Sequence, residues 1–182
     1  NVLQGIDPSY NDVGIPYKFA TYTMDNLNVT VGNFYEQFGS GMILRSYEAR
    51  QLGIDNAIEG TRVKLNPING IYITGLIGKQ RLFFDKGPGI VRGIDGTISI
   101  NELHPRLDSI KTKVSIGGSF VSRYQKDDDP TYNLPENVGA YSTRLNLNHG
   151  GFSFTGEYAY KINDPNSSNN FIYKPGQGAL FS

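Results

Sequence analysis

Nine charged residues fall where alternating strands or the loop between them could set opposite signs against one another: Glu36, Arg45, Glu48, Arg50, Asp55, Arg62, Lys64, Arg144 and Glu157. Their chemistry is ion pairing. Lining a wide passage, they would select solutes by charge. Pairing with one another, they would pin a loop against a wall. The mixed signs favour pairing, with the acids and arginines of the loop matching charges on the strands. Lys113, Arg123 and Lys161 share polar strand faces with this set. Catalytic groupings are sparse. Ser40 stands between two glycines, but no histidine accompanies it, and His104 and His149 fall in distant turns. No enzyme activity, catalytic residue or cofactor is expected. Asp127-Asp128-Asp129-Pro130 has neither the spacing nor the glycine of a calcium-binding loop, so a solvated loop is expected and no metal site. The chain has no cysteine, which excludes disulfides and thiolate metal sites.

Composition narrows the class. Of 182 residues, 17 are basic and 17 acidic, so the formal net charge is zero. A nucleic-acid binder would need a basic surplus to neutralise phosphates, and none is expected as a partner. Apolar residues make up 38%, beside 22 glycines, 12 tyrosines and 10 phenylalanines. A water-soluble β-sandwich needs apolar inner faces throughout. A transmembrane barrel with a wet interior needs only its outer face apolar. No run approaches the ~18 apolar residues of a membrane helix, so any span must be β.

The elements that would position the charges read as strands of period two. They are expected over 17–25, 27–35, 57–65, 71–80, 90–101, 110–124, 138–147 and 152–162, with a possible start of another at 179–182. Residues 1–16 read as loop. Connections alternate between short (25–26, 66–70, 102–109, 148–151) and long (36–56, 81–89, 125–137, 163–178). Barrels of the outer membrane sort their loops in this way, with short periplasmic turns and long external loops. The strand lengths suit a tilted bilayer crossing. The expected fold is therefore all-β: an antiparallel up-and-down transmembrane β-barrel of about eight strands in this chain. Both ends of the pattern fall on the long-loop side, which fits a single domain over 1–182 forming part of a larger barrel. A soluble β-sandwich binding module is the alternative.

The segment 37–56 is the inserted feature. Met42, Ile43, Leu44 and Leu52 are too apolar to be left together in water. Gly39, Gly41 and Gly53 let the backbone turn inward. The expectation is that the segment folds inside the wall as a plug, and docking outside it is the alternative.

Val31 to Gly41 (VGNFYEQFGSG), Leu44 to Asn56 (LRSYEARQLGIDN) and Gly60 to Val63 (GTRV) carry a further signal. With GGSFVSRYQ at 117–125, they resemble an uncharacterised family of outer-membrane β-barrel proteins of the Bacteroidetes. The resemblance implies an outer-membrane location, a lipid bilayer as partner and no catalytic residues. More loosely, it implies a structural or plug-like accessory role in a transport or protein-secretion complex, such as the type 9 secretion translocon. An outer-membrane channel for small solutes is the other reading.

Overall fold

The computed structural model describes residues 13–82 and 84–182, with the side chain of Arg50 left aside; the expected loop over 1–12 lies outside the described residues. In chain order the strands are β1 (Phe19–Met24), β2 (Leu27–Phe34), β3 (Glu48–Ala49), β4 (Ile54–Asp55), β5 (Ile58–Leu65), β6 (Ile71–Leu82), β7 (Asp85–Ser99), β8 (Thr112–Tyr124), β9 (Asn137–His149), β10 (Phe152–Lys161) and β11 (Gly176–Phe181). Nine of them make one sheet in the order β1-β2-β5-β6-β7-β8-β9-β10-β11, each antiparallel to the next, and β3 and β4 form a small separate ribbon. The molecule is an antiparallel all-β meander. No described helix is long and apolar enough to cross a membrane.

Two expectations need correction. The loop foreseen at 81–89 does not exist as such, because β6 runs on to Leu82 and β7 starts at Asp85. Pro88 and two glycines obscured this extension in the sequence. The pair absorbs them through a register shift between Lys79 and Arg81, as sheet ends commonly do. The connection foreseen as a short turn at 102–109 instead holds a 3-10 turn at Ile100–Leu103 and a one-turn helix, α1 (Pro105–Asp108). His104 caps α1 by accepting from Arg106 N at 3.1 Å, and Pro105 opens it. The short–long alternation of loops is thus weaker than the sequence suggested.

The two faces of the sheet invert the usual pattern. A soluble antiparallel sheet packs its apolar face and wets its polar one. Here the apolar side chains are the open ones. Val31, Ile77, Ile94, Ile98, Ile116, Phe120, Tyr141 and Leu145 all stand exposed, and the cross-strand registers place them on one face. Beyond the row of Arg92, toward the turn end of the sheet, outward positions carry no Asp, Glu, Lys or Arg; Arg92, Lys79 and Glu59 take outward positions at the loop end. The opposite face carries Thr30, Arg62, Asp95, Ser119, Ser142, Arg144 and Glu157, each buried or half-buried.

What covers that inner face is the segment after β2. Its one large fully buried apolar side chain is Phe38, 1% exposed. Phe38 joins Phe34 of β2, Ile58 of β5, Leu76 of β6 and Val121 of β8 in a single core cluster, with Ile43, Leu44 and Val91 packed against it.

Candidate functional site

The inner face is built from rows of cross-strand partners, and three polar clusters occupy it. The first joins β2, β5 and the start of the segment. Glu36 receives Arg62 at 3.2 Å and Lys64 at 2.8 Å. Arg62 also donates to Thr30 Oγ1 and to the Tyr35 carbonyl, and lies over the Phe34 ring at 5.5 Å. Thr30 and Arg62 are register partners, so alternation alone points both inward.

The second cluster lies at the segment's far end. Asp55 of β4 pairs with the buried guanidinium of Arg81 and accepts from Tyr35 Oη at 3.1 Å. Arg81 lies over the Tyr17 ring, which stacks on Tyr35. Burial, and then the hydrogen bond to Asp55, push the Tyr35 phenol up to about 12.

The third cluster spans β7, β8 and β9. Arg144 holds Asp95 with both nitrogens, at 2.8 and 3.0 Å, and also donates to Ser119 Oγ and Thr97 Oγ1. Reaching β7 from β9 requires crossing β8, and Gly117 makes that possible. A Cβ there would collide with the Arg144 guanidinium.

The segment itself is a doubled-back loop. Gln37 bridges to Arg45, Phe38 N donates to the Leu44 carbonyl, and Ser46 N donates to the Glu36 carbonyl. Its tip turns at Gly39, with φ at +54°, a conformation glycine adopts without penalty. The tip meets the wall at Glu157 of β10. This carboxylate is 2% exposed. Oε2 accepts from Ser40 N at 2.7 Å, and Oε1 has no hydrogen-bond partner. Gly93 of β7 leaves room for the Phe38 ring, which a Cβ would meet at 2.8 Å, and Gly178 of β11 faces Met42.

These contacts fix the shape of the sheet. Laid flat, β2 and β10 would stand six strand spacings apart, ~29 Å. Fully extended, the six residues from Phe34 to Ser40 reach ~20 Å, and the turn closed by Gly41 N on the Phe38 carbonyl shortens that reach. The sheet therefore curls around the segment.

A model of a family of unknown function matches residues 1–182. The chain belongs to that family, DUF6029. No curated protein matches this DUF6029 chain, and no solved structure does.

The charged residues singled out from sequence divide in this DUF6029 chain. Glu36, Arg62 and Lys64 come together as one cluster. Asp55 and Arg144 are both paired, but with Arg81 and Asp95, which the sequence reading did not single out. Their partners sit on other strands, so only the register could have named them. Glu157 meets a backbone N–H rather than a cation. Arg45 is exposed and stacks over Tyr47 at 4.8 Å. Glu48 is exposed on β3. Arg50 begins a 3-10 turn, Arg50–Leu52. Leu52, expected inside, is 73% exposed; the β3–β4 ribbon carries it away from the wall. Lys113 pairs with Asp108, whereas Arg123 and Lys161 both reach Asp164. The Asp127 and Asp129 carboxylates accept backbone N–H groups of their own loop. Among the described residues, no group of three potential ligands converges on a metal position.

Proposed function

We propose that this chain is wall material of an outer-membrane β-barrel whose interior is filled by the inward part of its own segment 37–56, Phe38 to Leu44. Its role is that of a structural or accessory, plug-like component of a membrane transport or protein-secretion complex. One observation carries the reading: the inverted faces of the sheet. An outer face that bears isoleucine, phenylalanine and tyrosine, and no charge between the Arg92 row and the turn end, has no favourable place in water, and the buried ion pairs lie on the other side. Lipid is the solvent that such a face fits, since a charge there would cost ~2–4 kcal/mol at the bilayer midplane. Strands such as β8 and β9, at 13 residues each, exceed the ~9–11 residues a tilted crossing needs. Tyrosines 124, 141 and 160 toward the loop end, and phenylalanines 152 and 154 toward the turn end, suit the two aromatic girdles of such a wall.

The filled inner face favours a structural or accessory role over an open pore. The type 9 secretion translocon is the complex that the sequence resemblance suggests as partner. The test is affinity purification from native membranes, with the insoluble and carbonate-washed fractions followed. The proposal expects the chain in the washed outer-membrane fraction, together with a larger membrane complex. Recovery as a freely soluble monomer would refute it.

A further inference from the structure

We propose that the inner face is a polar passage held shut by the chain's own tip, Phe38 to Gly41, with the Glu157 carboxylate as the latch. This rests on the barrel reading above. The seat is shaped for the tip. Gly93 accommodates the Phe38 ring, and Gly178 faces Met42. The Glu157 carboxylate lies against Gly39 and takes the N–H of Ser40.

The latch is the weak point of the closure by design of its contacts. Elsewhere the segment is tied down by ion pairs near its two ends, Glu36 with Arg62 and Lys64, and Asp55 with Arg81. Among the described residues, the polar tie of the tip to the wall is one hydrogen bond to one carboxylate oxygen, while the other oxygen is buried without a partner. Arg144, the register partner of Glu157, is already engaged by Asp95. A buried carboxylate left so under-satisfied regains hydration when the tip leaves, which offsets part of the cost of drawing Phe38, 1% exposed, out of the core cluster. The tip can therefore lift while both ends stay anchored. Lifting it would uncover Glu157, beside its register partner Arg144, a polar lining suited to small polar solutes.

Two readouts test this on the whole protein: an arginine-specific protease in detergent, and conductance in planar bilayers. The variants are Glu157→Ala, which removes the acceptor, and Glu157→Gln, which keeps an acceptor but not the charge. Loss of this charge-assisted hydrogen bond should make tip opening faster by roughly tenfold or more in the alanine variant, and with it cleavage after Arg45, whose side chain is exposed but whose backbone is bridged to Gln37 beside the tip. Glutamine should lie between alanine and the native residue. Cleavage after the wall arginines 92, 123 and 144 should stay unchanged, and conductance should rise in the same order. Unchanged cleavage and conductance in Glu157→Ala would overturn the latch. If alanine exposes the wall arginines as well, the glutamine variant decides: faster cleavage confined to Arg45 supports the latch, and native-like cleavage overturns it. Faster cleavage after Arg45 in a protein that never enters a bilayer would keep the latch and refute the barrel.

Discussion

At the scale of single residues, burial decides which charges matter. The Arg144 side chain is 9% exposed and that of Asp95 16%. Removing one partner leaves the other charged and desolvated. Arg144→Ala should therefore cost ~3–5 kcal/mol of stability in urea unfolding. Replacing both with apolar residues, Asp95→Leu with Arg144→Met, should recover most of that loss. Gly117→Ala should behave like a weaker Arg144 variant, because the new Cβ displaces the guanidinium. By contrast, the Lys126–Asp128 pair, with both side chains largely exposed, should contribute ~0–1 kcal/mol. Tyr35 gives a pH dependence of definite sign. Its folded pKa, about 12, lies above the ordinary 10.0. The neutral phenol is thus favoured by folding, and its contribution is intact below pH 10 and lost as pH rises toward 12. Ultraviolet titration of the native protein against Tyr35→Phe should show one late-titrating tyrosine disappear.

At the scale of elements, the period-two alternation was enough to locate the strands of the meander. β2, β5, β8 and β10 lie within two residues of where the pattern put them. Alternation also assigned the faces, since Val114, Ile116 and Phe120 could only share one. It failed where backbone irregularity intervened, as at the bulge in β6 and the proline in β7. It also could not name partners, because Asp95 meets Arg144 only through the β7–β8–β9 register. Phe38 was likewise illegible. Nothing local distinguishes it from the other aromatics of its segment, and its burial depends on Gly93 lying opposite. Gly93→Val should expel the ring and destabilise the fold by ~1–3 kcal/mol, read by urea unfolding. On β8 the two faces should respond oppositely to one substitution. Ile116→Lys should cost ~2–4 kcal/mol if lipid covers that face, and Ser115→Lys, one residue earlier and inward, markedly less. Equal costs at the two positions would mean that both faces meet the same solvent.

At the scale of the whole molecule, one sheet curls around one segment, polar inside and apolar outside. Every functional statement depends on what solvates the outer face. The absence of cysteine allows single-cysteine spin labels to be placed one at a time along β8, from Val114 to Ser122, in protein reconstituted into bilayers. Accessibility to oxygen, which concentrates in lipid, is then compared with accessibility to a water-soluble nickel chelate. A lipid-covered outer face gives a period-two profile. Oxygen should dominate at 114, 116, 118 and 120, and fall at 115, 117, 119 and 121, where the inner face and its plug exclude it. Dominance of the nickel chelate at 116, 118 and 120 would place the outer face in water and refute the barrel.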